Sequence, residues 1–116
     1  MGIPSDLLQR VNQAKDALKL WLGERKPEAV IILGSGLDGY VEKLDYPQSI
    51  SYQGLPGFLH TAVAGHAGLL WSGSIAGRPV LAFQGRPGHR HEGFAYWQLM
   101  LPVWAAIGTG ASFLIA

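Results

Sequence analysis

A chain of 116 residues has room for one domain, 1–116, and its 48% hydrophobic and 15% charged residues supply a packed core rather than a disordered tail. A formal net charge of +1 gives no overall field for nucleic acid or a membrane surface. The absence of cysteine excludes disulfides, thiolate zinc sites and thiol catalysis, and is compatible with the cytoplasm. No apolar run approaches the roughly 18 residues of a membrane-spanning helix, and no apolar stretch follows the N-terminus as it would in a signal peptide. The charged share is low for so small a body, which predicts an oligomer or a part of something larger.

Residues 5–22 are predicted to form an amphipathic helix, with Ser5 as N-cap, Asp6 in the first turn and Gly23 as the stop. Its apolar positions, Leu7, Leu8, Val11, Ala14, Leu18, Trp21 and Leu22, recur at helical spacing. Residues 28–33 (EAVIIL) read as a buried, parallel strand, broken by Gly34-Ser35-Gly36 and followed by a short helix over 37–44. Residues 49–53 give a weak strand and 55–58 a loop. Two further strands are expected at 61–64 and 68–75, split by Gly65-His66-Ala67-Gly68. Ala76-Gly77 then joins the second of these to a strand over 79–84 as a hairpin. The polar loop 85–93 precedes an apolar helix over 94–107, in which Pro102 is expected to produce a kink, and 111–116 (ASFLIA) is a last apolar strand. The strand–helix–strand order predicts an α/β fold with parallel strands. An ending within an apolar strand leads to the expectation that the fold is truncated.

Four segments carry chemistry. Gly34-Ser35-Gly36-Leu37-Asp38-Gly39 fits the glycine pattern of a dinucleotide loop. The acidic residue expected about 20 positions on is missing, however, because no Asp or Glu lies between Asp45 and Glu92. What survives is a backbone cradle for an anion, with the Ser35 hydroxyl as donor, or a plain strand-to-helix turn. The acid-free window 46–91 holds all four histidines, His60, His66, His89 and His91, together with Arg78, Arg86 and Arg90. Such a set suits an anion better than a hydrolytic metal, which would want carboxylate partners near the histidines; chance depletion of acids in strands is the plain alternative. In the loop GRPGHRHEG, Arg86 is suited to grip phosphate bidentately, His89 to add a donor, and Glu92 to orient His89 through its other ring nitrogen. A metal held by His89 and His91 is disfavoured, since a two-residue spacing suits a strand better than a loop. His66 between two glycines suggests a loop that closes over a ligand, or simply an exposed histidine.

In order, IILGSGL, GHAG, QGR and then HxxEG, found here from about Val30 onward, resemble the trimeric type of purine nucleoside phosphorylase. The resemblance implies the N-terminal part of a mixed-sheet α/β fold with flanking helices. It implies phosphorolysis of purine ribo- and deoxyribonucleosides to free base and pentose 1-phosphate. Inorganic phosphate is co-substrate, no metal or organic cofactor is used, and the full-length enzyme is a homotrimer. It places phosphate binding on Ser35, Arg86 and His89, with His66 near the phosphate. His91 falls at a ribose-contacting position usually held by Tyr, and Glu92 supports His89, so His89 and Glu92 form the catalytic pair. Two residues, Pro87 and Gly88, separate Arg86 from His89 where the family has one. The purine-recognising Glu and Asn and a second phosphate-binding Ser of the family have no counterpart in the matched motifs, so the chain alone is expected to be inactive. A methylthioadenosine- or xanthosine-type phosphorylase and a non-catalytic, self-associating module are the alternatives.

Overall fold

Helix α1 (Leu7–Leu22) forms where the apolar spacing predicts it, and buries Ala14, Leu18 and Leu22 on one face. The computed structural model describes residues 2–33, 38–58, 68–84 and 95–115. The start of α1 differs from the expectation. Asp6, not Ser5, is the capping position, and its side chain makes no cap hydrogen bond. Its carboxylate instead accepts from Arg10 Nε, at 3.0 and 3.1 Å, because a residue four positions on lies over it on the same helix face. Leu8 belongs to the predicted apolar set but is 73% exposed, lying outside the buried stripe of Ala14, Leu18 and Leu22. Gly23 ends the helix as expected, with φ 63° and its N–H donating to the Lys19 carbonyl at 2.9 Å.

Five strands form one mixed sheet: β1 (Ala29–Leu33), β2 (Asp45–Ser51), β3 (Leu69–Ile75), β4 (Arg78–Gln84) and β5 (Phe113–Ile115), in the order β2-β3-β4-β1-β5. β1 is parallel to both β4 and β5, and the β2-β3-β4 half is antiparallel. The β3–β4 hairpin turns on Ala76 and Gly77 at φ 52° and 80°, and Ile75 pairs with Arg78. Both central residues are thus left-handed, the two-residue turn whose twist matches that of the strands. β2 begins four residues earlier than expected. Its first half, Asp45-Tyr46-Pro47-Gln48, is exposed and irregular, with a register shift between Asp45 and Gln48 and Tyr46 at φ 51°. Polar side chains and a proline are what an edge strand tolerates. The helix expected over 37–44 is a 3-10 helix, Asp38–Lys43. The strand expected at 61–64 lies outside the described residues.

Alternation along the strands divides the sheet into two faces. On one, Val30, Leu70, Leu81 and Phe83 pack with α1, with Tyr52, Leu55 and Phe58, and with Leu101, Ala105 and Ala106 of helix α2 (Tyr96–Ile107). On the other, Ala29, Ile31, Trp71, Val80 and Ala82 pack with Val41 and Leu44 of the 3-10 helix. Pro102 lies buried inside α2. The helix starts with Gln98 Oε1 accepting from the Ala95 N–H at 2.7 Å, one half of a capping box. Arg25 ties the end of α1 to the sheet. It donates to the Trp21 and Leu22 carbonyls and to Ser72 Oγ of β3, all within 2.8–2.9 Å, with its guanidinium 5.0 Å from the Trp21 ring centroid. No described helix is long and apolar enough to cross a membrane.

Candidate functional site

The sheet brings the described residues that flank the chemistry-bearing segments to one end. Leu33, the last residue of β1, is in register with Gln84, the last of β4, and Gln84 is in register with Leu69, the first of β3. The chain therefore enters segment 34–37 from Leu33, enters 85–94 from Gln84 and leaves 59–67 into Gly68 at one end of the sheet. Phe58, from which 59–67 departs, belongs there too: its ring stacks on Phe83 with centroids 6.0 Å apart. The beginning of α2, into which 85–94 leads, lies beside it, since Phe58, Trp97, Gln98 and Leu101 share one cleft of about 320 Å³. The carboxyl ends of adjacent parallel strands are where open α/β sheets bind ligands.

The predicted site residues Ser35, His66, Arg86, His89, His91 and Glu92 lie on these three segments and outside the described residues. What the structure shows is how their anchors are fixed. Gln84, next to Gly85-Arg86, is held from both faces of the sheet. Trp71 Nε1 donates to its side-chain Oε1 at 2.8 Å, and the Tyr52 hydroxyl donates to its carbonyl at 3.3 Å. Tyr52 is 1% exposed and sits between the Phe58 and Phe83 rings, with centroids 5.7 and 6.0 Å away. Its own N–H donates to the Gly68 carbonyl at 3.2 Å.

Gly68 has to be glycine. A Cβ built there would lie 2.1 Å from Tyr52 Cδ2 and Cε2, far inside carbon–carbon contact distance. The glycine after His66-Ala67 thus lets the strand start close against the tyrosine ring. Sequence reasoning singled out the loops and missed Trp71, Tyr52 and Gln84 as their fasteners. The only local signal is alternation, which puts Trp71 and Gln84 on one face of the hairpin. Among the described residues no group of three or more His, Asp or Glu converges on a point.

No family model matches the chain. It is similar to the purine nucleoside phosphorylase of Bos taurus, with 41% identity over 80 residues, covering 69% of this chain and 27% of that protein. In fold it is similar to the purine nucleoside phosphorylase of Schistosoma mansoni solved with acetate, at a TM-score of 0.82 and 32% identity, over 92% of this chain and 39% of that one. It is likewise similar to isoform 2 from Schistosoma mansoni solved with cytosine and ribose-1-phosphate, at a TM-score of 0.80 and 35% identity, over 91% of this chain and 36% of that one. The chain spans between about a quarter and two fifths of the length of these relatives.

Proposed function

Since the chain belongs to the purine nucleoside phosphorylase family, we propose that it carries the phosphate-gripping part of an enzyme that phosphorolyses purine ribo- and deoxyribonucleosides. A phosphate oxygen attacks C1′ of the pentose, the glycosidic bond to the purine breaks, and the base leaves with the bonding pair and takes up a proton. Pentose 1-phosphate and free base result. The sugar passes through an oxocarbenium-like state, so holding the phosphate dianion beneath C1′ is a large part of the task. Ser35, Arg86 and His89 hold the phosphate in this reading and His66 approaches it. Glu92 accepts from the second ring nitrogen of His89, and His91 contacts the ribose. No metal or organic cofactor takes part. The whole enzyme works as a cytoplasmic homotrimer.

One observation carries this reading: Leu33, Gln84 and Leu69 are in register, so all three motif-bearing segments depart from one end of the sheet. The Schistosoma isoform solved with ribose-1-phosphate supports it from a relative of the same fold. By itself the chain lacks the means to recognise the base. Its only asparagine, Asn12, is on α1, so nothing here matches the Glu and Asn pair that the family uses on the purine.

Titration of the chain with inorganic phosphate tests the assignment, alongside an inosine phosphorolysis assay. Phosphate should bind, and Arg86→Ala should weaken binding by roughly 10- to 100-fold, the value of a bidentate charge-assisted contact of about 1.5–3 kcal/mol. Turnover of inosine should stay at background. Equal phosphate affinity in the variant would remove Arg86 from the site, and robust turnover would overturn the claim that the chain is inactive alone.

A further inference from the structure

Positive charge gathers at the end of the sheet away from the motif-bearing segments. α1 stops at Gly23, and the chain runs on into Ala29, the first residue of β1. α2 stops at Ile107, and Gly108-Thr109-Gly110 runs on into Phe113, the first residue of β5. The Ser112 N–H donates to the Glu28 carbonyl at 2.9 Å, so the two connections lie side by side at the amino ends of the parallel strands. Both helix ends line one cleft of about 360 Å³, whose walls include Lys19, Arg25, Lys26, Gly108, Thr109 and Gly110. Among the described residues three cations and no carboxylate line it.

These cations have no counter-charge. The ion pairs among the described residues are Arg10–Asp6 and Arg78–Glu28, and neither involves the cleft. Arg25 is half-buried, and its guanidinium is locked by hydrogen bonds to the Trp21 and Leu22 carbonyls and to Ser72 Oγ. Those bonds use three of its five N–H donors on neutral acceptors, so two donors and the whole charge stay uncompensated among the described residues. A charge drawn partly out of water ordinarily has a partner of opposite sign. The carboxyl ends of two helices would by themselves disfavour an anion. Here their carbonyls are already engaged: Lys19 accepts from Gly23, Trp21 and Leu22 accept from Arg25, and Trp104 and Ala106 accept from Gly108 and Thr109. Lys15, one turn before Lys19, adds a fourth cation at the rim. Its stem runs along Gly108, with Cδ 2.9 Å from where a Cβ would stand.

We propose that this cleft is a second anion site, which takes a chain of two or three linked phosphates. Charge sets the number. One phosphate group carries about −1.5 to −2 at pH 7, short of the three positive charges in the lining, whereas two or three linked units match them. Arg25 offers a planar donor already fixed in place, which loses little freedom on binding. Lys19 and Lys26 are exposed and act as point charges that can follow the phosphate chain. A concave cleft suits a small, multiply charged anion better than the flat surface of a protein partner. Whatever else packs around this part of the fold, three uncompensated cations have to face water or an anion. The site is independent of the phosphorolysis reading. It lies at the far end of the five-residue β1 from segment 34–37, about 15 Å away at a strand's rise per residue.

Isothermal titration calorimetry of the chain tests it, in low-salt, magnesium-free buffer and in an Arg86→Ala background that takes the phosphate-gripping arginine out of the comparison. Inorganic tripolyphosphate should bind at one site per chain, more tightly than orthophosphate, and added sodium chloride should weaken it. Lys19→Gln and Lys26→Gln should each weaken binding by about twofold to fivefold, the range of an exposed charge pair, and the double variant by about tenfold. Both lysines are exposed, so far-ultraviolet circular dichroism should be unchanged. Lys43→Gln, the same charge removal on the 3-10 helix, should leave the affinity as it is. ATP in place of tripolyphosphate identifies the source: tighter binding assigns a nucleotide, and equal or weaker binding assigns free polyphosphate. Absence of tripolyphosphate binding overturns the proposal, as does orthophosphate binding equally well. So does a Lys19→Gln, Lys26→Gln double variant that binds like the parent, or a Lys43→Gln variant that loses as much. Light scattering that shows the double variant changing the mass of the chain in solution, with tripolyphosphate affinity unaltered, assigns these lysines to a protein contact and overturns it too.

Discussion

Replacing Gly68 by alanine adds one methyl group, and the structure says what that methyl meets. Its Cβ would lie 2.1 Å from two carbons of the Tyr52 ring, where about 3.5–4.0 Å is the ordinary contact. Something must move by more than an ångström. The ring has little freedom, being 1% exposed between Phe58 and Phe83, with its hydroxyl on the Gln84 carbonyl. Overpacking of this kind costs about 1–3 kcal/mol, and loss of the hydroxyl's hydrogen bond adds about 1 kcal/mol. We expect Gly68→Ala to destabilise by about 3 kcal/mol. With a urea dependence of about 1–3 kcal/mol/M for a chain of this size, the unfolding midpoint falls by roughly 1–3 M. Measurements at one fixed protein concentration keep self-association out of the comparison. Two further variants isolate the cause. Gly54→Ala places its methyl 3.5 Å from Ile50 Cγ1, in ordinary contact, and should shift stability by under about 1 kcal/mol. In a Tyr52→Leu background the Gly68→Ala change should cost far less than in the parent, a coupling of about 2 kcal/mol between neighbours. A Gly68→Ala chain within 0.5 kcal/mol of the parent, on the order of the scatter for surface substitutions, would refute the claim that close approach to Tyr52 dictates this glycine.

Two further substitutions bear on the scaffold. Ala76→Asn puts into the hairpin turn a residue that tolerates the observed φ of 52°, and should stabilise by about 0.5–1 kcal/mol in the same urea assay. Trp71→Phe removes the donor to Gln84 Oε1 and should cost about 1 kcal/mol; because Gln84 leads directly into Gly85-Arg86, phosphate affinity should fall several-fold as well, measured by the same titration as Arg86→Ala.

Much of the framework was legible because its elements bury one clean stripe or one alternating face. The Leu18 and Leu22 side of α1, the run AVIIL, the hairpin around Ala76-Gly77 and the apolar α2 all announce themselves through local spacing. Asp45-Tyr46-Pro47-Gln48 did not, because an exposed edge strand has no hydrophobic pattern to show. Ser5 and Asp6 are both favoured capping residues, and local spacing does not rank two such neighbours; the helix takes Asp6. At the site, the order of the motifs was legible and the fasteners were not. The bonds from Trp71 and Tyr52 to Gln84 join residues 13 and 32 positions apart, and a contact at that range leaves no trace in local composition.

The position of β1 has a consequence for how the chain acquires its shape during synthesis. β1 comes before the other described strands in the chain, yet it occupies the middle of the parallel half of the sheet, and its ladder partners are Val80–Gln84 on one side and Phe113–Ile115 on the other. An aliphatic segment therefore emerges from the ribosome long before either neighbour exists, while the β3–β4 hairpin can close locally as soon as Gln84 is out. Contacts of such long sequence separation form late and slowly, so nucleation falls to the hairpin, and β1 docks onto it afterwards. In the interval between the two the aliphatic side chains of β1 lack the strand neighbours that cover them in the folded sheet.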